Sequence, residues 1–564
     1  MNTITFKLPA DLQGAVDKTL GDWQNGGKVA RLWAGDATLW TGEDENKWLG
    51  WLDIVERQQK DIATFTALAK EIADAGFKYA VLLGMGGSSL CPEVLAKTFG
   101  DQKGHPELHI LDSTDPDQIR SVEHAVDLKK TVFIVSSKSG STLEPNIYKD
   151  YFYGQMKEVV GDKAGEHFMA VTDPGSKMEQ VAKVDKFRHI FYGDPSIGGR
   201  YSALSNFGIV PAAVMGLDVA RFLELAQQAV VAGKNPSIAQ NSGVTLGIIL
   251  GTAANMGRDK ITFFTSDAIY DLGAWLEQLI AESTGKLGRG ITPVDREEIG
   301  PPEVYGKDRV FAYVKLAGAD DKALEKKIEA LENAGQPVVR FVLDDIYQIG
   351  EQFFTWELAT AVAGSVIGIN AFNQPDVEAS KIETRKLTDE YEKTGKLAES
   401  KPFFVDGEIK LFATPEYAAK LGGGMGSLAS VLAAHLDQLH AGDYFAVLGY
   451  IQNDDAHEKA LQEIRHYVRD DKHVATCLGF GPRFLHSTGQ DYKGGANTGV
   501  FLQITADHPK DLAIPGAKYT FGVVIAAQAA GDLAVLQQRG RRALRAHVGK
   551  DVKAGLQRIF DGIQ

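Results

Sequence analysis

Cysteine is almost missing from this chain. Cys91 and Cys477 are the only two in 564 residues, too few and too far apart for a disulfide framework or a cysteine metal site, which fits a reducing compartment. Positive charge is also in deficit, with 60 Lys and Arg against 74 Asp and Glu and a net charge of -14. With no long basic run or basic-aromatic stripe to offset it, no nucleic-acid partner is expected. Unbroken apolar blocks are scarce. The N-terminus, MNTITFKLPADLQGAV, puts Lys7 and Asp11 where a secretory signal needs one, so a cytoplasmic location is expected. The longest uncharged run, 236–257, holds Gln240, Asn241, Ser242, Thr245, Thr252 and Asn255. A bilayer core of about 30 Å asks for some 20 mostly apolar residues, so a buried core helix is expected there and no membrane partner. No H-E-x-x-H occurs, and His105 and His109 in HPELH begin a strand; the expectation is no metal and no cofactor.

What is present is an alternation. A chain this long exceeds one core, since cores stop growing near roughly 250 to 300 residues. From residue 77 onward the apolar runs KYAVLLG, LHILDST, TVFIVSS, FMAVTDP and FRHIFYG are separated by helical patterns, and KITFFTS, RVFAYVKLAG and PVVRFVLDD repeat the scheme. Continuous apolar strands separated by helices predict parallel sheets covered on both faces. The fold class is therefore α/β, with two doubly wound parallel-sheet domains and additional helices. The boundaries are an N-terminal helical extension over 1–60, a first domain over 61–225 and a second over 226–564, the last including the strands DYFAVLGYI, HVATCLGFG and GVFLQITAD. Five tryptophans in the first sixty residues read as core aromatics packed on a neighbour.

Ligands of parallel sheets gather outside the strands' carboxyl ends, where loops run into helix N-termini whose free N–H groups favour negative charge. Two loops fit. The strand TVFIV runs into SSKSGST, with Ser136, Ser137, Ser139, Ser141 and Thr142 as five hydroxyls around Lys138 and Gly140. Capping a helix needs one or two; a phosphate accounts for five. The second, GMGGSS, carries Gly84, Gly86, Gly87, Ser88 and Ser89. A dinucleotide site, with Asp112 as its ribose-binding acid, is the rival, but Ser89 stands where the third glycine is needed, and no Gly-Lys-Ser/Thr follows for a Walker A loop.

Three further segments carry scarce catalytic side chains. WLEQLIAESTGKLG places Gln278 and Glu282 four apart on one helical face; the plain alternative is a solvated surface. GGRYSALSNFG puts Arg200 after two glycines, and GFGPRFLHSTGQDYKGG sets His486 among loop residues, where it can exchange protons near neutral pH.

Taken together, GMGGSS, SSKSGSTLEP, GGRYSALS, EQLIAESTGK, FNQPDVEASK and LHSTGQ resemble the phosphoglucose isomerase family, with its two SIS-type sugar-phosphate domains. The likeness runs from about residue 77 to near the C-terminus, and is closest to the isomerase half of fused transaldolase and phosphoglucose isomerase proteins. The sixty or so residues before the first domain are too few for a barrel of about 250.

The resemblance implies interconversion of glucose 6-phosphate and fructose 6-phosphate, without a cofactor, in a homodimer whose partner is the small-molecule sugar phosphate. It implies a phosphate loop of Ser137, Lys138, Ser139, Ser141 and Thr142, and sugar contacts from Gly87, Ser88 and Gln278. Glu282 is then the base, Arg200 the cation beside the reacting carbons, and His486 with Lys381 the ring-opening pair. Two departures stand out. The order here is Glu282, Lys381, His486, whereas most members place the histidine second. The family ending WGVELGK is replaced by IAAQAAGD. Wider action on mannose 6-phosphate, or sugar-phosphate binding without catalysis, are the alternatives.

Overall fold

The computed structural model describes residues 4–398 and 400–564. Its strands, in chain order, are β1 (Thr5–Lys7), β2 (Tyr79–Leu83), β3 (Glu107–Leu111), β4 (Thr131–Ser136), β5 (Phe168–Thr172), β6 (His189–Tyr192), β7 (Lys260–Thr265), β8 (Thr292–Val294), β9 (Arg309–Leu316), β10 (Val338–Leu343), β11 (Phe404–Asp406), β12 (Ile409–Phe412), β13 (Tyr444–Tyr450), β14 (Ala475–Phe480), β15 (Gly499–Thr505) and β16 (Arg542–His547).

The first sheet, β3-β2-β4-β5-β6, is wholly parallel. Every residue of β4 is buried, as is expected of a strand covered on both faces. The second, β1-β10-β9-β7-β8, is parallel except for β1, which lies antiparallel on the edge of β10. The α/β class and its parallel sheets stand as expected.

Two parts of the layout differ from the expected boundaries. The strands after residue 400 do not extend the second sheet. They build a third, β11-β12-β16-β15-β13-β14, parallel over its last four strands, with its own apolar core around Leu432, Val447, Leu461, Leu502 and Ile559. The first sixty residues pack on their neighbour as expected but are not wholly helical, since they supply β1 to the second sheet. Leu12, Val16, Trp23 and Trp51 enter the main core, and the indole N–H groups of Trp33 and Trp40 donate to the carbonyls of Gly233 and Ala361, both at 2.8 Å.

The uncharged run 236–257 forms the helix Ser242–Asn255, buried from Gly243 to Ala253. The helix Phe521–Gln538 has the length and apolarity to cross a membrane. Its Gln528 and Asp532 are nevertheless buried against polar partners inside the protein.

Candidate active site

In the first sheet the chain leaves β2 toward β3 on one side and β4 toward β5 on the other, so the crevice outside the carboxyl ends of β2 and β4 is a topological switch point, where open α/β sheets bind ligands. Both anion-loop candidates open there. They border a cavity of about 280 Å³ lined by residues 85–88, 136–139, Thr142, Gly199, Arg200, Gln278, Glu282, Gln374, Lys381 and His486, among others. Every residue expected at the site lies in this wall except Ser141, whose hydroxyl sits 2.8 Å from that of Ser139.

Close approach of three loops makes the crevice. A Cβ on Gly87 would stand 2.1 Å from the carbonyl oxygen of Gly199, backbone that cannot rotate away, so only glycine lets the turn Gly86–Ser88 and the segment carrying Arg200 touch. At the hydroxyl end, Thr142 precedes the helix Leu143–Val160 without a capping hydrogen bond from its side chain. The hydroxyls of Ser136 and Ser137 are buried with no partner among the described residues. Helix capping therefore does not explain these groups; unpaired donors at a helix N-terminus are what a phosphate would satisfy.

Lys138 differs from expectation. Its ammonium is held by Asp173 and donates to the carbonyl of Asp194 at 3.0 Å, so its charge is already matched and the loop offers neutral donors. Asp112 is equally committed: it accepts from the Ser89 hydroxyl at 3.1 Å and lies 3.5 Å from Arg483.

Across the cavity, the helix Leu272–Thr284 buries Gln278 and Glu282 on the same face; a solvated surface is not what they form. The Gln278 amide N–H donates to Glu282 at 3.0 Å and to the carbonyl of His486 at 2.8 Å. Arg200, 1% exposed, stands 3.7 Å from Glu282. Its guanidinium donates to the Ser283 hydroxyl (2.7 Å), Gln374 (3.0 Å) and the carbonyls of Ala371 (2.8 Å) and Asn373 (3.0 Å). Four of its five N–H groups are thus fixed, and the rigid fork holds the charge beside the carboxylate.

His486 reaches this wall from the loop after β14, so the altered chain order still delivers it to the same cavity. Its Nε2 lies 3.1 Å from Glu144, which sequence reading passed over because an acid in a helix's first turn already has a reason to be there. Gln528, from the IAAQAAGD segment, donates to the same carboxylate oxygen at 2.7 Å and accepts from the Thr114 hydroxyl at 2.6 Å. Lys381 stands at the rim, half-exposed, 3.7 Å from Glu378.

Burial pushes the Glu144 carboxyl up, but the charge and hydrogen bond of His486, with the charge of Lys381, outweigh it and leave the carboxyl below its usual value of 4.5. A depressed carboxylate stabilises the fold above its unfolded pKa and loses that contribution as pH falls through the folded value. Glu144→Gln is therefore expected to lower the Tm near pH 6, and the gap to wild type to close as pH drops below about 4.5. Thermal melts from pH 3 to 6 check this; a gap independent of pH would remove the ion-pair reading.

Residues 64–296 match the family model described as phosphoglucose isomerase. Glucose-6-phosphate isomerase of Methanocaldococcus jannaschii is 27% identical over 339 residues, covering 54% of this chain and 83% of that one. Glucose-6-phosphate isomerase of Thermus thermophilus is 28% identical over 381 residues, covering 60% and 89%. Among solved structures, a hypothetical protein of Thermus thermophilus superposes with a TM-score of 0.59 at 25% identity, over 68% of this chain and 99% of that one.

Proposed function

We infer from the match of residues 64–296 to the phosphoglucose isomerase family model that this chain interconverts glucose 6-phosphate and fructose 6-phosphate. The observation that supports it most is one cavity with two unlike ends. Unpartnered serine hydroxyls lie at one end, and a carboxylate 3.7 Å from a buried guanidinium lies at the other.

In this reading Ser136, Ser137, Ser139 and Thr142 grip the phosphate, the end that does not react. Remote binding energy then orients the carbons that do. His486, steadied by Glu144, moves the proton that opens the ring, with Lys381 at the rim. Glu282 removes the proton from C2 and returns it at C1. The enediolate charge that builds between these steps falls beside Arg200, which is permanently cationic. Ser141 supports the loop through Ser139, while Gly87, Ser88 and Gln278 shape the sugar's path.

Roles for His486 and Lys381 rest on their place in the cavity, since both lie outside 64–296. A cytoplasmic homodimer and kinship to the isomerase half of transaldolase fusions belong to the same proposal. Purified protein given fructose 6-phosphate is expected to produce glucose 6-phosphate, read with a coupled dehydrogenase. Binding without conversion would assign the chain to a sugar-phosphate regulator instead, and conversion of mannose 6-phosphate would widen the activity.

A further inference from the structure

A second cavity, of about 640 Å³, shares the segment 370–377 with the first. Asn370, Asn373, Pro375 and Asp376 face it, while Gln374 and Val377 face the sugar cavity. Its remaining wall comes from residues 286–288, 493–495, Asn497, Arg539 and Arg541, with Thr41 and Glu43 at its edge. Four cations line it: Lys286, Lys493, Arg539 and Arg541.

Two of these are matched. Lys493 lies 2.7 Å from Asp532. Arg539 lies 2.6 Å from one oxygen of Asp376, whose other oxygen accepts from Gln490 at 2.7 Å.

The other two are not. Lys286 and Arg541 are 2% and 8% exposed, and among the described residues neither forms an ion pair. Lys286 donates to the carbonyl of Asn370 at 2.6 Å. Arg541 donates through one terminal nitrogen to the carbonyls of Lys493 and Gly495, at 2.7 and 2.8 Å, while its Nε is buried with no partner among the described residues. A buried guanidinium with an unmet N–H is costly unless an anion completes it. The Asn373 Oδ1 is also buried and unmet, an acceptor for a ligand hydroxyl. Burial, and then the nearby Arg200, push the Lys286 ammonium well below its usual pKa, a penalty that a negative ligand would relieve.

We propose that this cavity is a second anion site, taking a small phosphate-bearing molecule against Arg541 and Lys286. Two unmatched cations favour a dianion over a monocarboxylate, and the volume exceeds what inorganic phosphate alone would fill.

Equilibrium dialysis with radiolabelled pyrophosphate tests it. Wild type is expected to bind two equivalents per chain, of which saturating fructose 6-phosphate displaces one. Arg541→Gln, which keeps a donor for the two carbonyls but removes the charge, is expected to bind one, wholly displaced by the sugar phosphate. Should that variant fail to fold, Arg539→Gln at the exposed rim is expected to weaken the second equivalent about tenfold. Wild type binding a single, fully displaceable equivalent would overturn the proposal. So would two equivalents surviving in Arg541→Gln, or an Arg539→Gln chain with unchanged affinity. The sugar-phosphate reading of the first cavity is a separate matter: its failure would show as fructose 6-phosphate displacing neither equivalent, with Arg541→Gln still removing one.

Discussion

Glu282→Gln is expected to lower kcat on fructose 6-phosphate by roughly 10² to 10⁴-fold, the range that a positioned general base contributes, with KM little changed. The amide can still accept from Gln278, which holds the carboxylate at 3.0 Å, so the helix end keeps its shape. Arg200 keeps four other hydrogen bonds and stays in place. What disappears is a group able to take a proton from C1 of fructose 6-phosphate and give it back at C2. Two measurements separate this from a folding defect. Thermal melts should superpose on wild type, and exchange of a C1 hydrogen of fructose 6-phosphate with deuterated solvent should fall with turnover. Near-normal exchange would take Glu282 out of its role and reopen the question of which group carries the proton.

Arg200→Lys is expected to cost both activity and stability. A lysine has the charge but not the fork, and one ammonium cannot reach Ser283, Gln374 and the carbonyls of Ala371 and Asn373 together. Leaving buried acceptors unmet costs about 1 to 3 kcal/mol each, so a stability loss of about 2 to 4 kcal/mol is expected, read as a lower midpoint in denaturant. Loss of the fixed cation beside the forming enediolate is expected to lower kcat roughly 10² to 10³-fold, the effect of deleting one such donor. Hydrogen exchange should quicken selectively over residues 370–376, which Arg200 pins. A variant as stable as wild type would show that this segment is held by something else.

Much of this candidate site is legible in the sequence. The hydroxyl loop, Gly87, Arg200, Gln278, Glu282 and His486 stand out because their residue types have no cheaper use where they occur, five hydroxyls after a buried strand being the plainest case. Glu144 was hidden because an acid at a helix start satisfies the helix dipole by default. Its second use appears only when His486, 342 residues away, is set against it. Lys138 misled for the opposite reason: its sequence neighbours suggest a free charge, and its partner, Asp173, comes from the adjoining strand's loop.

In the fold, long apolar strands were legible and short ones were not. β8 is three residues with a proline at its centre. β16, RALRAH, carries arginines in a strand; Arg545 is tolerated there because Gln503 and the carbonyl of Ala529 accept its hydrogens at 2.7 and 2.8 Å. That β13 to β16 form a sheet of their own follows from which strands become neighbours, and alternation along the chain does not encode it.

The third sheet delivers His486 and Gln528 onto a carboxylate that was translated long before them. At ribosomal rates of about 5 to 20 residues per second, the 342 residues between Glu144 and His486 take roughly 20 to 70 seconds to synthesise. Throughout that interval the emerging polypeptide can already form the strand that leads into the hydroxyl loop, while the histidine and glutamine that partner Glu144 are still to come. Completion of the cavity is therefore one of the last events in the birth of the molecule.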